Sequence, residues 1–192
     1  KPQEVSYKKD LVIADGSKMT TMDPQKTSNA IHDILYNLVF NQLVNFSYAT
    51  GEILPELATE WSVSDDALTW TFKLREDVVW VDNQGREVSK LTADDFVAGL
   101  QHMMDAAGGL EYLVCAGCAN IVNADAYVNG EITDFAEVGV KAVDDYTVAY
   151  TLSIPTDYFL TMLGYGVFAP MSREYYESMG GKFGEEYDAT AE

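Results

Sequence analysis

A layered domain mixing strands and helices, of the α/β or α+β class, is predicted by three features of this 192-residue sequence. Leu68–Arg75 alternates Leu68, Trp70, Phe72 and Leu74 with Thr69, Thr71, Lys73 and Arg75, the mark of a half-buried strand. From Asn29 onward Ile31, Ile34, Leu35, Leu38, Val39 and Leu43 recur at helical spacing, which predicts an amphipathic helix. Strand and helix signals then mix along the chain without a strict βαβ rhythm. With 47% hydrophobic residues the chain has the apolar content of a folded core.

The other elements follow in order. Leu11-Val12-Ile13-Ala14 is a short buried strand stopped by Asp15-Gly16-Ser17. Met22-Asp23-Pro24 is a turn, because Pro24 drives Asp23 out of helical geometry. Asn29 caps the amphipathic helix. Val78–Val81 is a second strand segment, followed by a turn at Asp82-Asn83-Gln84-Gly85. Thr92 and Asp95 have capping-box spacing and start a helix over Ala93–Asp105, which Gly108-Gly109 ends. Val138–Val143 and Tyr146–Leu152 form a hairpin around Asp144-Asp145. Pro155 closes its second strand, and Tyr158–Leu163 and Ser172–Met179 are short helices, the latter ended by Gly180-Gly181.

Charge excludes whole classes of partner. Twelve Lys and Arg stand against 31 Asp and Glu, a net charge of −19. Such a field repels phosphate backbones and anionic lipid, so neither nucleic acid nor a basic-patch membrane contact is expected. No apolar run approaches the roughly 20 residues that span a bilayer. Lys1-Pro2-Gln3-Glu4 carries no apolar signal segment, which fits a cytosolic chain or a processed one. There is no internal repeat, no phosphate loop, no nucleophile elbow and no His-Glu-x-x-His, so no cofactor is expected.

Several residues invite chemistry and have plainer readings. Trp61, Trp70 and Trp80 suit a stacking platform, but on strand-like segments they read as core. Cys115-Ala116-Gly117-Cys118 has the spacing of a thiol-redox motif without the strand-then-helix setting such enzymes use. A second ligand pair for zinc is missing, so a local disulfide between Cys115 and Cys118, or two quiet thiols, is the expectation. His102 reads as a packed or surface histidine, and His32 lies one turn into the amphipathic helix. Asp94-Asp95 serves a helix start and Asp144-Asp145 a turn, so neither pair reads as a general acid–base couple.

Four segments together carry a family resemblance. They are Leu54-Pro55-Glu56-Leu57-Ala58 with Trp61, Ser64 and Asp66; Leu68–Arg75 leading into Val78 and Trp80; Leu91-Thr92-Ala93-Asp94-Asp95-Phe96-Val97; and Gly139–Val148 with Leu152, Pro155 and Tyr158-Phe159 behind it. In this order and spacing the chain resembles the peptide and nickel class of periplasmic solute-binding proteins, the oligopeptide- and dipeptide-binding family.

The resemblance implies a periplasmic-binding-protein-like fold of type II, in which two lobes close on a peptide. It places 1–44 at the start of lobe I, 45–165 in that lobe's extra subdomain, and 166–192 in its return. The chain then reads as a fragment lacking the hinge and lobe II, where the acidic residue that holds the peptide's amino terminus would lie. The implied ligand contacts are the loop Thr27-Ser28-Asn29-Ala30, through backbone pairing with the peptide, and the stretch after the Ala93–Asp105 helix, namely Gly109, Leu110 and Tyr112. Gly109 stands where oligopeptide binders carry an aromatic, a departure that bears on peptide preference. The implied role is peptide capture outside the membrane, in the periplasm or lipid-anchored, for ABC permease membrane subunits, without enzymatic activity. The alternatives are the same scaffold tuned to a nickel chelate, haem or a sugar, and a thiol-redox protein using Cys115 and Cys118. Strand edges meant for absent segments would make the fragment self-associate.

Overall fold

The computed structural model describes residues 21, 23–26, 36, 39–47, 49–82 and 84–181. The expected strand Leu11–Ala14 lies outside them, as does most of the helix expected from Asn29; within it, Tyr36 and Val39 are helical. The described strands are β1 (Val44–Phe46), β2 (Ile53–Pro55), β3 (Ala58–Val63), β4 (Thr69–Leu74), β5 (Val79–Val81), β6 (Glu87–Lys90), β7 (Val140–Asp144) and β8 (Thr147–Thr151). The described helices are α1 (Ala93–Ala106), α2 (Ala124–Val128), α3 (Phe159–Met162) and α4 (Arg173–Ser178).

The central sheet has the order β3-β4-β8-β7 and is antiparallel throughout. The alternation in Leu68–Arg75 explains why β4 sits inside it. Phe72 and Leu74 are buried while Lys73 is exposed, so one face packs and the other meets water. Phe72 pairs with Trp61 on one side and Val148 on the other. Helix α1 lies over β7 and β8 and buries Phe96, Leu100, Met103 and Met104. An aromatic chain completes the core, with Phe159 at 5.8 Å from Trp70, 5.6 Å from Tyr150 and 6.4 Å from Phe168, centroid to centroid. All three tryptophans are half-buried and pack against this core, as a structural role requires.

Asp95 joins three parts of the fold. It accepts hydrogen bonds from the Thr92 N–H (2.9 Å), the Trp80 indole N–H (2.9 Å) and the Arg173 N–H (3.0 Å). The carboxylate that starts α1 therefore also ties down the β5–β6 hairpin and the entry to α4. Helix α1 runs one residue past the expected Asp105, and its left-handed cap is Ala107 at φ 47° rather than a glycine. The glycine that follows serves a packing purpose instead.

Candidate functional site

Of the residues implicated by the resemblance, Thr27, Ser28, Asn29 and Ala30 lie outside the described residues. Their chain neighbours Asp23–Lys26 are described, and helix α1 holds them along one face. Asp23 and Gln25 are each only 1% exposed. The Asp23 carboxylate accepts the Gln25 N–H at 3.0 Å and meets His102 Nε2 at 2.7 Å. The Gln25 amide donates to the Ala169 carbonyl at 2.8 Å, joining this segment to the chain 144 residues on. Tyr36 OH donates to the carbonyls of Thr21 (3.1 Å) and Asp23 (3.3 Å). His102 also stacks edge-on with Tyr176 at 5.3 Å. A buried polar group is costly unless bonded, and here each of these side chains has a partner.

Two glycines of the α1 region let the backbones approach. A Cβ at Gly99 would sit 2.5 Å from the Ala169 carbonyl and 2.9 Å from the Gln25 amide. One at Gly108 would sit 3.2 Å from the Lys26 carbonyl group. Lys26 precedes Thr27, and Gly108 precedes Gly109. Lys26 and Gly108 therefore lie against each other.

Beyond that point Gly109 adopts φ 89°, and among the described residues nothing stands within 4 Å of where a side chain would begin. Its N–H donates to Glu111 Oε1 at 3.1 Å. Leu110 is half-buried against the core, and Tyr112 is 60% exposed. Glu111 and Tyr112 also line an open cavity of about 490 Å³ with Cys115, Ala116, Gly117, Cys118, Asp125, Val128 and Asn129.

The cysteines in that cavity are free thiols, Cys115 buried and Cys118 partly so. Burial, reinforced by the nearby Asp125 and Glu111 carboxylates, pushes the Cys115 thiol up to about 11. A redox cysteine needs the opposite, a lowered pKa beside a cation or helix start. Among the described residues no Lys, Arg or His lines this cavity, so the electrostatics they set disfavour thiolate chemistry. Among the described residues no group of three or more His, Cys, Asp or Glu side chains is placed to hold a metal ion.

The sequence reading missed the Asp23–His102 pair. The turn at Asp23-Pro24 and a histidine in mid-helix are each visible in the sequence, but nothing local shows that residues 79 apart meet. The cost of burying a carboxylate is the missing clue, and it shows only once the fold removes Asp23 from water.

Residues 52–190 match the family model described as bacterial extracellular solute-binding proteins, family 5. The chain belongs to that family. The oligopeptide-binding protein SarA of Streptococcus gordonii is 40% identical over 162 residues, 84% of this chain and 24% of its own length. The oligopeptide-binding protein AliB of Streptococcus pneumoniae is 42% identical over 156 residues, 81% of this chain and 23% of its own length. Listeria monocytogenes OppA, solved bound to peptide, shares 29% identity with a TM-score of 0.74, covering 85% of this chain and 31% of the other. This family 5 chain therefore spans about a quarter of the length of those curated relatives. The likeness carries the type II periplasmic-binding-protein fold that the motifs implied. No described helix is long and apolar enough to cross a membrane.

Proposed function

We propose that this chain is part of the substrate-binding component of an ABC importer, which captures oligopeptides outside the membrane and delivers them to permease subunits. The observation that carries the reading is the meeting of Lys26 and Gly108, within a chain of a solute-binding family. Lys26 precedes Thr27–Ala30 in the sequence and Gly108 precedes Gly109, Leu110 and Tyr112, so the contact supports one site built from both stretches. Backbone groups on such loops pair with a peptide main chain whatever its side chains, which suits a receptor for many sequences. In this reading the chain binds rather than catalyses, and the protein is periplasmic or lipid-anchored. Residues 1–44, 45–165 and 166–192 are then the start, subdomain and return of lobe I.

The natural full-length protein, purified without added ligand, is expected to carry co-purifying peptides in native mass spectrometry. A haem, nickel chelate or sugar in their place, or no retained solute together with no heat from a mixed peptide library, would sink the peptide reading. The 192-residue chain alone is expected to bind that library weakly. Partial burial leaves the cost of immobilising the peptide largely uncompensated.

A further inference from the structure

We propose that the buried Asp23–His102 pair is a positioning device for peptide binding, one that fixes Asp23–Lys26 against helix α1. The inference rests on the peptide-binding reading above. His102 Nε2 and Asp23 Oδ2 stand 2.7 Å apart, with side chains 5% and 0% exposed. At that distance and burial the contact is among the stronger kinds of hydrogen bond. Neither group touches the cavity beside Tyr112, so the pair acts through the backbone it holds.

That backbone is short and tightly specified. Asp23 Oδ1 accepts the Gln25 N–H, and the Asp23 carbonyl accepts the Lys26 N–H at 3.3 Å. The carboxylate that faces His102 therefore also shapes the turn that delivers Lys26 to Gly108. The Gln25–Ala169 bond anchors the same turn from a second direction. Removing the histidine leaves Asp23 buried without this partner, and the segment must shift to rehydrate it. A shift of Lys26 moves the meeting point with Gly108, and with it the entrance to Gly109–Tyr112. Binding sites lose affinity steeply when their supporting contacts loosen by an ångström.

The test uses the natural full-length protein and three variants, with a peptide from its co-purified set as probe. His102→Leu removes the bond to Asp23, whereas His102→Gln keeps an N–H donor at nearly the same reach. At about 25 °C His102→Leu is expected to weaken peptide binding about tenfold, and His102→Gln to recover most of the loss. Hydrogen exchange at the Gln25 and Lys26 amides should quicken about tenfold in the Leu variant, while β4 and β8 amides stay as protected as before. Leu and wild type binding alike, or the Gln variant failing as badly as Leu, overturns the proposal. Should the Leu variant not fold, Gly108→Ala presses on Lys26 from the other side without touching the pair. A few-fold affinity loss there supports positioning, and none overturns it. A wild type that binds no peptide defeats the functional reading, and exchange at Gln25 and Lys26 then decides the positioning by itself.

Discussion

Asp95 shows at the scale of one residue how a helix-start signal grows into a structural junction. The spacing of Thr92 and Asp95 was enough to place the start of α1, because capping is a local exchange between neighbouring groups. The bonds from Trp80 and Arg173 were not legible, since both partners arrive through tertiary folding. Burial lifts the Asp95 carboxyl above its ordinary 3.8, against the pull of those donors. The folded chain thus binds this proton more tightly than the unfolded chain does. Its contribution is fullest below pH 3.8 and declines as pH rises from there through the raised folded value. Asp95→Asn abolishes that decline but turns an amide N–H toward at least one donor, at a cost of about 1–3 kcal/mol. Denaturant unfolding of wild type and variant from acid to neutral pH is expected to show the variant less stable throughout. The gap should narrow as pH rises through that window. The Asp66, Asp77, Asp82 and Asp144 carboxyls, each held low by hydrogen bonds, give the opposite slope and cancel in the difference. A gap that widens with pH would show that the donors outweigh burial at Asp95.

Among the elements, legibility followed how regular the local pattern is. β4 alternates cleanly along its whole length, whereas the sequence marks its neighbour β3 only as a strand-like segment around Trp61, without bounds. A register shift between Ala58 and Glu60 breaks β3's alternation, and a bulge hides a strand from any period-two reading. The turn joining them, with Asp66 accepting from Ser64 (2.5 Å) and the Leu68 N–H (3.1 Å), puts Ala67 at φ 58°, a conformation that sequence assigns to glycine. The β7–β8 hairpin is legible in the sequence, but the reason for Gly139 at its edge is tertiary. Its N–H donates to the Val122 carbonyl and its carbonyl accepts from Thr151. A Cβ there would run into the Thr151 carbonyl oxygen and stand 3.0 Å from the Val122 nitrogen. These are backbone atoms held in a ladder and unable to yield. Gly164 makes the contrasting case, because the three atoms nearest its Cβ would all belong to the ring of Phe46, a side chain beside an open cavity. Gly139→Ala is expected to cost about 1–3 kcal/mol, the usual range for overpacking, or more. Gly164→Ala should cost less, because a ring can turn aside. Equal losses in denaturant midpoint would mean that the ladder around Gly139 gives way as readily as a side chain.

At the scale of the whole molecule, charge and sheet edges pull in opposite directions. Among the described residues the central sheet ends on β3 and β7, and a strand edge with unpaired backbone groups is a template for another chain. Register shifts mark both edge strands, between Ala58 and Glu60 on β3 and between Ala142 and Asp144 on β7, so bulging does not distinguish the two edges. On β7, Lys141, Ala142, Val143 and Asp144 are exposed, with Val143 at 62%, which makes that edge the more apolar invitation. Against pairing stands the net charge of −19, which makes any two copies repel. Salt shortens the reach of that repulsion to about 8 Å at physiological ionic strength, while hydrogen bonds and apolar contact at an edge persist. The 192-residue chain is therefore expected to self-associate more as salt rises, the reverse of an assembly held by ion pairs. Sedimentation velocity should give a mass near the monomer at about 20 mM salt and a growing dimer fraction at about 300 mM, where screening is several-fold stronger. Val143→Glu adds a charge to the exposed edge, the device natural sheets use against such pairing, and is expected to keep the chain monomeric at both. Dimers that survive Val143→Glu would move the contact to β3 or to another face. A monomer at every salt concentration would show that the charges on Lys141 and Asp144 already guard β7 without help from the net charge.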